Sequence, residues 1–119
     1  MRLWWQRRYQ ALLAALAGLR WAWRESHFRI HLMAAVGVIF LAASTGLAAI
    51  EWSVLLLCIA LVMAFEAMNS ALEALADALH PDEHPMVGQA KDMAAAAVLV
   101  SAVIAVVVAL LIFIPAWFG

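Results

Sequence analysis

The stretch 65-FEAMNSALEALAD-77 decides how this chain reads. Ahead of it, Ser53–Phe65 carries no charge; within it stand Glu66, Asn69, Ser70, Glu73 and Asp77. At 3.6 residues per turn these five positions fall within an arc of about 100°. An apolar helix therefore ends in a single polar face bearing three carboxylates and an amide. Ionisable groups are costly in hydrocarbon and usually functional there, so this face marks a candidate site on a membrane helix.

The rest of the chain supports that reading. It has 119 residues, of which 69% are hydrophobic and 13% charged, with a mean hydropathy of +1.00. Soluble domains carry about 25% charged residues, so residues 1–119 are read as one integral membrane domain. The net charge of −1 conceals an asymmetry: Arg2, Arg7, Arg8, Arg20, Arg24 and Arg29 all precede residue 30, and Lys91 is the only later cation. Cys58 stands alone, which excludes a disulfide framework and leaves it as a small apolar filler.

Residues 1–24 interleave arginines with Trp4, Trp5, Leu12, Leu13, Leu16, Leu19, Trp21 and Trp23. This is the pattern of an amphipathic helix at a membrane surface, with guanidinium groups toward headgroups and indoles at the interface. Three apolar segments follow, at 28–50, 52–79 and 93–118, each long enough for the roughly 20 residues of a span. Between them lie a short turn at 46–52 and the segment His80–Lys91, whose Pro81, Pro85 and Gly88 predict a loop. The predicted architecture is all-α: an N-terminal surface helix and three transmembrane helices. Trp52 and Trp117, at the ends opposite the acids, read as interfacial belt anchors.

The positive-inside rule places the Arg-rich start in the cytoplasm. Three crossings then put Glu51 and Gly119 outside and His80–Lys91 inside. Both polar clusters, Glu25–His31 and Glu66–Asp92, gather on the side where ATP is. Carboxylate oxygens suit Mg²⁺, a hard cation that also accepts water and phosphate. With Glu25 opening the first span and Lys91–Asp92 the last, the set suits metal-assisted phosphoryl transfer. The same residues also suit a proton relay through Glu66 in a small exporter, or polar contacts that hold helices together. Taken alone, the pattern leaves all three open. There is no GxxxxGK[ST] loop and no protein-kinase Gly-rich loop, so those nucleotide-binding classes are excluded. No nucleic-acid partner is expected. His27 and His31 stand four apart without the HExxH arrangement, and read as interfacial or structural histidines.

Glu66-x-x-Asn69-Ser70-x-x-Glu73, then Asp77, Glu83-His84-Pro85 and Ala90-Lys91-Asp92-Met93-Ala94-Ala95 ahead of a last aliphatic helix, together resemble the prokaryotic diacylglycerol kinase family, which includes the undecaprenol kinases. Phe28-Arg29-Ile30-His31-Leu32 and Glu51-Trp52 also fit, and more closely resemble the undecaprenol kinase branch. The resemblance spans roughly residues 16–118. It implies a homotrimeric helical bundle in the bacterial inner (cytoplasmic) membrane, with the N-terminus and the active sites cytoplasmic and the sites shared between subunits. It implies ATP as co-substrate, Mg²⁺ as cofactor and a membrane lipid alcohol as acceptor. By the same resemblance Glu66 is the general base, and Glu25 and Glu73 hold the metal, with Asn69 and Asp77 in support. Asp82, Glu83, His84, Lys91 and Asp92 lie toward the nucleotide. The family's N-terminal arginine falls on Arg7 or Arg8. A hydroxyl residue sometimes found after Lys-Asp-Met-x is replaced by Ala95.

Overall fold

The computed structural model describes all of residues 1–119 and contains four helices and no strand. They are α1 (Arg2–Ala22), α2 (Ser26–Thr45), α3 (Ala49–Leu79) and α4 (Pro85–Phe118). The last three are long and apolar enough to cross a membrane. At 1.5 Å per residue, α3 and α4 are ~46 and ~51 Å long, well beyond the ~30 Å hydrocarbon core. Both therefore extend out of the apolar layer, and the sequence sets where: the acids of α3 and the Lys91–Asp92 pair of α4 sit at the same end of the bundle.

The helix boundaries differ from the sequence reading in three places, each with a local cause. First, α2 stops at Thr45 because Gly46 adopts a left-handed conformation (φ +74°), which glycine enters without Cβ strain. Second, α3 then starts at Ala49 rather than 52, with Glu51 Oε1 accepting from the Ala48 N–H at 3.4 Å. Alanine has no reciprocal acceptor, so this is half of a capping box. Third, and largest, the loop expected over His80–Lys91 is only His80–His84, because α4 begins at Pro85. Proline fits the first helical position, where its missing N–H is no loss. His84 Nδ1 accepts from the Met86 N–H at 3.1 Å and so caps the helix. Lys91 and Asp92 consequently lie on a helix already formed, with a fixed orientation.

α3 and α4 form the principal pair, α2 packs on both, and α1 touches the others only marginally. The tightest packing lies at the end away from the acids, where Ala42, Leu55 and Phe113 from three different helices meet and Trp52 and Ile112 close over them. Trp117 stacks on Phe113 with ring centroids 5.2 Å apart, and its indole Nε1 donates to Thr45 Oγ1 at 3.2 Å. Both belt-type tryptophans thus also tie the bundle together. Only 8 of 119 residues are buried within the chain, so most of the apolar surface of α2–α4 faces outward. In water this would be an aggregation surface; in a bilayer, lipid or further protein covers it.

Candidate functional site

The polar face of α3 descends from water toward the bundle interior in the order Asp77, Glu73, Asn69, Glu66, a depth of ~16 Å along the axis. The environment changes with each step. Asp77 and Glu73 are exposed, Asn69 is half-buried, and Glu66 is 4% exposed, the one buried ionisable side chain in the chain. The cause is packing: beside Glu66 α2 lies against the face, with His31 Nε2 3.5 Å from Glu66 Oε2. A buried carboxylate without a counter-group is strongly disfavoured, and His31 is the group this fold supplies. From sequence alone His31 reads as a structural or interfacial residue. Its partner is not visible there, because α2 and α3 meet only through their packing.

At the outer end of the same face lies a cleft of about 550 Å³ lined by Asp77, His80, Asp82, Glu83, His84 and Lys91, among others. This volume lies within the usual range for small-ligand sites. Four of the five residues expected near the nucleotide line it; Asp92, one position past Lys91, does not. Lys91 Nζ donates to Asp77 Oδ1 at 2.8 Å. Lys91 belongs to the first turns of α4, ahead of the aliphatic stretch that opens at Met93. Its ammonium is held above its usual pKa by the hydrogen bond to Asp77 and then by the negative charge of Asp77 and Glu73. The loop below is braced by its own histidines: His80 Nδ1 lies 3.0 Å from the Asp82 carbonyl oxygen, and the His80 and His84 rings meet edge to face.

The remaining expected residues are more dispersed. Glu25 occupies the N-cap position of α2, yet its side chain accepts no capping hydrogen bond, so its exposed carboxylate is uncommitted. Arg7 and Arg8 are exposed on α1, where Arg8 lies over the Trp4 ring at 5.0 Å, and neither lines the cleft. Within one protomer no three His, Cys, Asp or Glu residues converge as a metal cage. Mg²⁺ does not need one, since it is commonly held by one or two carboxylates with water and phosphate oxygens completing its shell. The donor chemistry on the face fits that pattern. Asn69 Oδ1 supports it as well, being a buried oxygen with no hydrogen-bond partner in the protein, and such orphaned acceptors call for a ligand or water.

Fold and site together define a class: a small helical membrane protein with a charged, cleft-forming end and one acid buried deeper along the same helix. The model of the prokaryotic diacylglycerol kinase family matches residues 13–113. The undecaprenol kinase of Bacillus subtilis (strain 168) is 38% identical over 91 residues, covering 76% of this chain and 74% of the relative. The diacylglycerol kinase of Escherichia coli (strain K12) is also 38% identical over 91 residues, covering 76% and 75%. That of Synechocystis sp. (strain ATCC 27184 / PCC 6803 / Kazusa) is 40% identical over 103 residues, covering 85% of this chain and 59% of the relative. The chain belongs to the prokaryotic diacylglycerol kinase family.

Proposed function

We propose that the chain transfers the γ-phosphoryl group of ATP to the hydroxyl of a membrane lipid alcohol, diacylglycerol or undecaprenol. The observation that carries this is the gradient along α3: a polar cleft with Lys91 at the water end and a buried carboxylate, Glu66, at the lipid end. A kinase acting between water and bilayer needs both, because its two substrates arrive from different phases. Family membership favours this over the exporter that Glu66 alone would also suit.

The residues divide the work by depth. In the cleft, Lys91 exchanges part of its contact with Asp77 for phosphate oxygens, while Asp82, Glu83 and His84 border the nucleoside. Asp92, the next position on α4, lies at the same end of the bundle and adds to the acidic charge around the nucleotide. Glu25 and Glu73 would hold Mg²⁺, with Asn69 and Asp77 supporting that shell; when bound, the ion would neutralise charge on the phosphates. Glu66 takes the proton of the lipid hydroxyl as the O–P bond forms and the bond from the γ-phosphorus to ADP breaks. An alcohol is a weak nucleophile, so a positioned carboxylate base contributes ~10²–10⁴-fold. Arg7 or Arg8, on a surface helix lying against the headgroups, completes the charge environment.

The same reading makes residues 1–119 one catalytic domain of a homotrimer in the bacterial inner membrane, with the polar end cytoplasmic. The outward apolar surface of α2–α4 supports assembly, since it offers neighbouring chains a face to cover. The six arginines before residue 30 support the orientation. The deciding experiment is transfer of labelled γ-phosphate from Mg-ATP to diacylglycerol and to undecaprenol, separately, in detergent micelles. Transfer to either establishes the reaction, and the ratio of rates names the substrate. Transfer to neither, by protein that is folded and assembled, overturns it.

A further inference from the structure

We propose that His31 is a positioning residue for the Glu66 base, fixing which carboxylate oxygen faces the lipid hydroxyl. The inference rests on the reading of Glu66 as that base and adds a partner to it.

The geometry is specific. His31 Nε2 approaches one Glu66 carboxylate oxygen, Oε2, at 3.5 Å. The distance exceeds a formed hydrogen bond, as is common for catalytic contacts before substrate binds. The two side chains come from different helices, so the contact depends on the α2–α3 packing. Glu66 is buried, and His31 is 29% exposed at its side chain, so the carboxylate reaches a counter-group only through the imidazole. On its other side His31 is the one residue that is not hydrophobic in the lining of a cavity of about 240 Å³ between α2, α3 and α4, walled by residues such as Ala35, Val62 and Ala105. Glu66 itself is 4% exposed, so little solvent reaches its carboxylate to reorient it. A carboxylate is symmetric about its Cγ–Cδ bond and has two equivalent oxygens. Once the imidazole closes to hydrogen-bond distance, a donor on one oxygen removes that freedom and leaves the other as the proton acceptor. Preorganisation of this kind is worth much in a dry site, and a misplacement of about 1 Å costs on the order of 10²-fold.

A purely structural contact between α2 and α3 also brings the two side chains together, so the test must separate the two roles. Three variants are compared with wild type as purified, assembled protein: His31→Leu, His31→Gln and Glu66→Gln, with the double variant His31→Leu/Glu66→Gln. His31→Leu removes the donor; His31→Gln places an amide N–H near the position of Nε2. We expect His31→Leu to lower kcat about 10- to 100-fold with KM for Mg-ATP within about twofold, and His31→Gln to recover most of the rate. In the Glu66→Gln background, His31→Leu should change the residual rate by less than about twofold, because residues that act through one another are not additive. A His31→Leu enzyme with normal kcat, a His31→Gln enzyme as slow as His31→Leu, or an equal loss in the Glu66→Gln background each overturns the proposal. Normal turnover in Glu66→Gln itself would instead remove Glu66 as base, so the two failures are distinguishable.

Discussion

Lys91 Nζ lies 2.8 Å from Asp77 Oδ1, joining the first turns of α4 to the last turns of α3 at the wall of the polar cleft. The side chains are 34% and 67% exposed, so solvent and salt screen the pair and its share in stability is small. Its consequence is positional. The bridge keeps the only cation of the C-terminal two-thirds of the chain at a cleft otherwise edged by acids. On the reading proposed above, a phosphate entering the cleft would meet a donor already in place.

Lys91→Met is expected to raise KM for Mg-ATP by about 10- to 100-fold, the scale of one charge-assisted hydrogen bond, while the thermal midpoint moves little. Because Asp77 holds the ammonium above its ordinary pKa of 10.5, Lys91 stays protonated between about pH 6 and 9. The part of the bridge's stability contribution that depends on the Lys91 charge is fully present below the ordinary value and is lost as pH rises through the elevated one. KM for Mg-ATP measured across neutral pH should therefore show no step that disappears in Lys91→Met. An unchanged KM in the variant would take Lys91 out of the nucleotide site.

Glu73→Gln should weaken the use of Mg-ATP more than that of lipid, since it removes one of two carboxylates assigned to the metal while leaving Glu66 and its surroundings intact. Raising free Mg²⁺ should restore part of the rate by mass action. The measurement is turnover against Mg²⁺ at fixed ATP and against ATP at fixed Mg²⁺. Wild-type dependence on both would exclude Glu73 from the metal shell.

The face that carries these assignments is legible in the sequence because helical periodicity alone brings Glu66, Asn69, Glu73 and Asp77 together. Lys91 is legible as a charge at the start of a span, but its bridge to Asp77 is not, since that depends on how far α4 extends beyond the membrane. Pro85 reads as part of a loop, although proline is equally at home in the first turn of a helix; the decisive signal is His84, a residue outside the usual set of helix caps. The contact of His31 with Glu66 is illegible for a deeper reason. Within a helix, spacing fixes which residues share a face, but nothing in spacing fixes which face of α2 meets which face of α3. Trp52 and Trp117 show the same limit, since composition marks them as interfacial and only packing shows them reaching the bundle core and Thr45.

Mixed assemblies test whether one site draws on two chains. Glu66→Gln and Glu73→Gln subunits, each slow alone at limiting Mg²⁺, should together exceed the sum of their separate rates when co-assembled, because a shared site can take an intact Glu66 from one chain and an intact Glu73 from its neighbour. Differently tagged chains allow mixed trimers to be isolated by two-step pull-down before assay. No such excess in verified mixed trimers would place both residues of each site in one chain.

Glu66→Gln is the sharpest test of the chemistry. The substitution keeps the length, the shape and one acceptor oxygen, and it removes the ability to take a proton. Turnover should fall about 10²–10⁴-fold, the usual contribution of a general base. Mg-ATP affinity should stay within a few-fold, because Glu66 lies ~16 Å along α3 from Asp77 at the cleft and does not line it. Stability should hold as well: replacing a buried carboxylate by an amide lowers the desolvation cost, and the substitution keeps an oxygen acceptor facing His31. Turnover and nucleotide binding measured on the purified variant separate the alternatives. Near-normal turnover would end the assignment as base. Lost nucleotide binding in an intact assembly would move Glu66 from the role of base to that of metal ligand.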